Sequence, residues 1–316
     1  MEKRNLNVKD AGIAFVMSFV VAQTTAIVGM VIIQFILQAC GLSSIKIESF
    51  FDTALGYLVQ AICMNIGFIL VFIWYFKRMY KSQLFSKPDS KSYKYLAICI
   101  IIGVSSLFLL SGVVNYFQLF VDKLGFKSAT LSYELDSPGN YIISLVSLAL
   151  IPAICEELIF RGIIVNGLKS KGSSFAIILS SAMFAIFHFS PAQLIYPFCF
   201  GLILSIIYLR THNIIFPIIL HFINNALSLS IQYFSNSSGV FTHSASILIY
   251  SLVTLLIWIC IIIWLFKNFK QHEVESCHES EVIESPNTTS KSVEKSNLWF
   301  LNGSIIIMLC LYILLL

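Results

Sequence analysis

Two adjacent carboxylates and a guanidinium stand where an apolar chain tolerates them least. Glu156, Glu157 and Arg161 fall inside an otherwise mostly apolar run from Tyr141 to Val165. A charged side chain at mid-bilayer costs about 2.5–3.5 kcal/mol on insertion scales, so it is kept there only with partners or a purpose. Nowhere else does the chain put carboxylates deep inside an apolar span. Further along, Phe184 and His188 are four residues apart, as are His221 and Asn225, with Asn224 alongside. Residues four apart share one helical face, one turn above the other. Glu157 and Arg161 have the same spacing, and Glu156 lies about 100° round the helix from Glu157. Each pair can point at one interior cavity. Carboxylates and imidazoles inside a membrane are groups that pass protons, in a relay or in a reaction.

Depth is compatible with such a meeting. At about 1.5 Å rise per residue, Glu156 lies roughly 18 Å from the inner end of its span at Leu168. His188 lies roughly 22 Å from Ser173, and His221 roughly 10 Å from Ile214. Short, tilted or kinked helices, with Pro217 in one of them, bring these levels together. Taken singly, each motif has a plainer explanation. Glu157–Arg161 alone reads equally as a buried pair that fixes helix packing, and a lone His in a membrane helix as an interhelical hydrogen-bonding residue. Six polar groups on three spans ask for more.

The elements that must position them are membrane helices. The chain has 316 residues, 58% hydrophobic and only 11% charged, against about a quarter charged in a soluble domain; its mean hydropathy is +0.86. This composition predicts an all-α, polytopic membrane helix bundle of about eight core helices plus an appended C-terminal one. With roughly 20 apolar residues per crossing, the spans fall near 11–37, 53–76, 95–121, 141–168, 173–189, 192–209, 214–230, 245–266 and 298–316. They divide the chain into N-terminal helices (1–140), a motif-bearing core (141–230), an eighth helix (231–266), a polar linker (267–297) and a last helix (298–316).

The net charge of +4 does not point to nucleic acid, because the Lys and Arg lie between apolar runs rather than in one patch. Lys3, Arg4 and Lys9, the group Lys77–Lys94, Lys169 with Lys171, Arg210, and Lys267 with Lys270 all fall on one side if every span crosses. The positive-inside rule then puts the N-terminus in the cytoplasm and the C-terminus outside. Met1–Asp10 and the thirty mostly apolar residues after it are too long for a cleaved signal and read as a retained first span. Of eight cysteines, seven lie in or beside apolar spans without CxxC spacing and read as small packing residues. The linker is acidic and Ser/Thr-rich; its His272, Cys277 and His278 form no convincing metal set, and the acceptor-like triplets at Asn236 and Asn287 are common by chance.

In order and on separate spans, Glu156-Glu157-x-x-x-Arg161, Phe184-x-x-x-His188 and His221-x-x-x-Asn225 resemble the three motifs of the CAAX-protease and bacteriocin-processing (CPBP, or Abi) family of intramembrane proteases. The resemblance covers about Tyr141–Ser230. It implies peptide-bond hydrolysis in or beside the membrane, with Glu156 as general base activating water, its pKa raised by burial, and His188 holding that water. His221 and Asn225 would donate to the developing oxyanion, while Arg161 would pair with Glu157 and orient the carboxylates. Zinc held by Glu156, His188 and His221 is the other version; the chain lacks HExxH, and the metal-free version, with no cofactor, is preferred. The implied partners are the lipid bilayer and a membrane-protein or peptide substrate, in a cell membrane, with bacterial peptide processing favoured over CAAX removal. A non-catalytic bacteriocin-immunity or scaffold protein and a proton-coupled transporter are the alternatives.

Overall fold

Among the residues that the computed structural model describes (3–80, 84–88, 90–126, 135–235, 249, 252–265, 267 and 301–310), every regular element is a helix. Asn7 starts the first one. Its side chain accepts from the Asp10 N–H, and the Asp10 carboxylate accepts from the Asn7 N–H, a reciprocal cap that satisfies two donors at the helix end. Helix α1 (Val8–Ala39) buries Ala11, Ala14, Phe15, Phe19 and Ala22 in its first half and has no buried residue beyond Ala22. After the short α2 (Ser44–Phe51), the Thr53 hydroxyl caps α3 (Ala54–Phe76). A Cβ on Gly67 of α3 would stand 2.5 Å from the Ala22 Cα, so this backbone approach needs glycine, as membrane helices often arrange.

The third expected span, 95–121, is corrected. It is two helices, α4 (Ser90–Leu109) and α5 (Ser111–Lys123), broken at the buried Leu110. The hydroxyls of Ser105, Ser106 and Ser111 donate to the carbonyls of Ile101, Ile102 and Phe108, and such back-bonds compete with the helical ladder.

Helix α6 (Pro138–Lys171) starts a turn earlier than expected, because Ser137 caps it. It is π-helical at Leu145–Leu150 and again at Phe160–Val165, with the α-helix Ile151–Ile159 between. The short α7 (Ser173–Phe187) follows, then a single 3₁₀ turn at Pro191–Gln193, α8 (Ile195–Thr211) and α9 (Ile215–Ser235). Helix α8 is the axis of the bundle, buried without a break from Cys199 to Leu209. Helices α10 (Leu252–Leu265) and α11 (Leu301–Cys310) complete the described chain. Trp258 Nε1 of α10 donates to the Ser106 hydroxyl of α4 at 2.8 Å.

Among the described residues, six helices are long and apolar enough to cross a membrane, and α7, α10 and α11 are shorter apolar helices. The protein is a polytopic helical membrane bundle. The acidic part of the linker, with His272, Cys277 and His278, and the triplets at Asn236 and Asn287 lie outside the described residues.

Candidate active site

Pro152 has no N–H, so the carbonyl of Leu148, four residues earlier, loses its α-helical donor. The chain before it relaxes into the π segment Leu145–Leu150, and the Asn225 Nδ2 of α9 donates to the Leu148 carbonyl at 3.4 Å. At the second π segment, Asn166 Nδ2 donates to the Gly162 carbonyl at 2.9 Å and to the Tyr208 hydroxyl. π turns are rare and gather at functional sites. The nine residues Ile151–Ile159 between them carry both carboxylates.

Glu157 points into the dry interior, with 0% exposure. Its Oε1 accepts from Arg161 Nη1 at 2.7 Å and faces His221 Nδ1 at 2.8 Å. Arg161 is equally buried; its Nη2 donates to the Gly201 carbonyl at 3.2 Å, and its guanidinium carbon lies 4.8 Å from the centre of the Phe184 ring. A Cβ on Gly201 would sit 3.2 Å from the Ser181 Cα, so glycine lets α7 and α8 close up where Arg161 needs that carbonyl. These bonds offset part of the cost of burying the pair, while Glu157 Oε2 and Arg161 Nε have no hydrogen-bond partner among the described residues.

Glu156 points the other way, into a cavity of about 200 Å³ that it lines with His188, Tyr196 and Asn225, over a floor of Phe184, Phe200 and His221. The Phe184 ring meets His188 and His221 edge-on, at 4.9 and 5.8 Å. Partners decide the tautomers, because carboxylates and carbonyls only accept. His221 therefore donates its Nδ1–H to Glu157, and His188 donates its Nδ1–H to the Phe184 carbonyl at 2.8 Å. When neutral, each ring then has Nε2 as an acceptor, and His221 Nε2 stands 4.0 Å from Glu156 Oε2.

All seven residues singled out in the sequence (Glu156, Glu157, Arg161, Phe184, His188, His221 and Asn225) meet at this one centre. Tyr196 was missed. Its hydroxyl donates to Asn224 Oδ1 at 2.6 Å, and Asn224 Nδ2 donates to Asn225 Oδ1 at 3.4 Å. This chain leaves the Asn225 Nδ2 turned to the Leu148 side of the cavity. A tyrosine early in a membrane helix carries no signal of such a task.

The zinc set does not fit as placed. Tetrahedral ligands at about 2.0–2.1 Å from zinc stand about 3.3 Å apart, less than the 4.0 Å from His221 Nε2 to Glu156 Oε2. Among the described residues, no three His, Cys, Asp or Glu side chains group closely enough to hold an ion.

Residues 138–227 match the family described as "Type II CAAX prenyl endopeptidase Rce1-like". That interval opens on the first residue of α6, closes within α9 and encloses every residue of the cavity. It resembles a CPBP-family core. The chain is also similar to "Putative membrane peptidase YdiL" of Bacillus subtilis (strain 168), 28% identical over 122 residues, 38% of this chain and 50% of that protein. The chain thus spans about half the length of this curated relative. No solved structure matches.

Proposed function

We propose that this protein is an intramembrane endopeptidase that hydrolyses a peptide bond of a membrane-associated protein or peptide, with Glu156 activating the water. The observation that carries the reading is the partition of the two glutamates: Glu157 is committed to Arg161 and His221, and Glu156 faces the cavity. A water about 2.8 Å from both Glu156 Oε2 and His221 Nε2 would bond to the two with an angle of about 90° between them.

The water oxygen attacks the scissile carbonyl carbon while Glu156 takes one of its protons. The Asn225 Nδ2 donates to the oxygen that becomes negative. As the tetrahedral carbon collapses, the carbon–nitrogen bond breaks and Glu156 returns its proton to the departing amine. The new carboxylic acid gives its proton to His221 Nε2, whose cationic form the Glu157 carboxylate stabilises. His221 thus has a different part from the one the motif resemblance implies. With its Nδ1–H given to Glu157, it holds water through Nε2 and does not donate to the oxyanion. No step needs a metal.

Terminal proteomics on membranes from cells expressing the wild type or Glu156→Gln at matched levels tests the reading. New peptide termini confined to the wild type are the expected result. Identical termini in both membranes would sink it.

A further inference from the structure

The cavity has a closed end and an open end, and charge tells which side of the membrane each faces. One end of the bundle gathers the basic residues. The Arg4 N–H donates to the Arg78 carbonyl, Gly167 stands against Asn7 and Ala11, the Leu84 carbonyl accepts from the Ile214 N–H, and Ser86 donates to the His212 carbonyl. Burial, then the charge of Lys169 nearby, push the His212 imidazole below its usual range. Arg4, Arg78, Lys169 and Arg210 therefore share one rim. At the other end, the described Lys46 and Lys123 are offset by Glu48, Asp52, Asp122 and Asp136. The excess of Lys and Arg marks the first rim as cytoplasmic.

Three helices then measure the same depth for the cavity. Glu156, His188 and Tyr196 each lie fifteen residues from the basic end, at Lys171, Ser173 and Thr211 respectively. That is roughly 22 Å into a hydrocarbon core about 30 Å thick. The groups on the basic side of them, Glu157, Arg161 and His221, are buried, whereas Glu156, His188 and Asn225 are partly exposed. The short α7 also ends there. Phe189, at φ 47°, and Ser190 leave the helix at this depth, and non-helical backbone inside a bilayer is tolerated only within protein or beside a water-filled cavity.

We propose that the cavity opens to the extracytoplasmic side and takes a membrane-anchored polypeptide whose scissile bond lies in the outer leaflet. The substrate class rests on the peptidase reading; the direction of opening does not. A membrane-impermeant maleimide separates the two. Gln193 beside the mouth and Ser170 on the basic rim are both exposed, and labelling of Gln193→Cys and Ser170→Cys is compared with the parent protein. In intact cells Gln193→Cys gains label and Ser170→Cys does not, and in inverted vesicles the pattern reverses. The opposite pattern overturns the direction of opening. The termini released by the wild type but not by Glu156→Gln then map to extracytoplasmic, membrane-proximal positions. Cytoplasmic termini overturn the substrate class, and no such termini, with Gln193→Cys labelled from outside, overturn the peptidase reading alone.

Discussion

Below Phe184 the centre is a dry lattice, and above it an open chamber. In the lower half, Glu157, Arg161 and His221 bond mainly to one another and to the Gly201 carbonyl. In the upper half, Glu156 faces a cavity whose other polar walls are His188, Tyr196 and Asn225. The two glutamates are adjacent, yet the step of about 100° between neighbouring residues turns the first to the cavity and the second to the buried network. A buried charge network specifies position; a carboxylate on a cavity wall can meet what enters the cavity. The comparison yields opposite expectations for residues one position apart.

Glu156→Gln tests the upper half most severely. It lowers cleavage by about 10²–10⁴-fold and leaves the melting temperature in detergent unchanged, read by a turnover assay beside a thermal-shift assay. Arg161→Ala tests the lower half. It strands the Glu157 carboxylate without its counter-charge and costs about 3–5 kcal/mol of stability; adding Glu157→Gln to it restores part of the loss, which denaturant melts would reveal. If Arg161→Ala melts like the wild type, the lattice is not what holds the centre. Asn225→Ala reduces kcat by about 10²-fold with KM little changed, in steady-state kinetics. Tyr196→Phe removes one hydrogen bond worth about 0.5–1.5 kcal/mol and cuts kcat by up to about tenfold, and a shift in KM alone would show that Tyr196 binds substrate and does not orient Asn225.

The groups of this centre were legible because polarity is conspicuous in an apolar sequence. Glu156, Glu157, Arg161, His188, His221 and Asn225 violate their surroundings, and helical spacing pairs them. Most span limits followed from hydropathy for the same reason. What stayed hidden depends on contacts between helices. Tyr196 acquires its task only when α8 meets Asn224 of α9, and the tautomer of His221 is decided by a carboxylate 64 residues away. The break at Leu110 was invisible to hydropathy because serine hydroxyls make it without proline. Pro152 was visible, but its effect, a π segment with a carbonyl turned to Asn225, needed the partner helix.

The two π segments of α6 also bear on how the chain can change length. Each holds one residue more than an α-helix needs in the same rise. Loss of a residue between Leu145 and Leu150 would be absorbed as a return to α-helix, keeping Tyr141 stacked on Tyr233 and Glu156 over the cavity. Loss of a residue between Ile151 and Glu156 has no such slack, and would turn one side of α6 by about 100° against the other. Insertions and deletions that survive in descendants of this chain should therefore cluster in the two π segments and spare the turns between them.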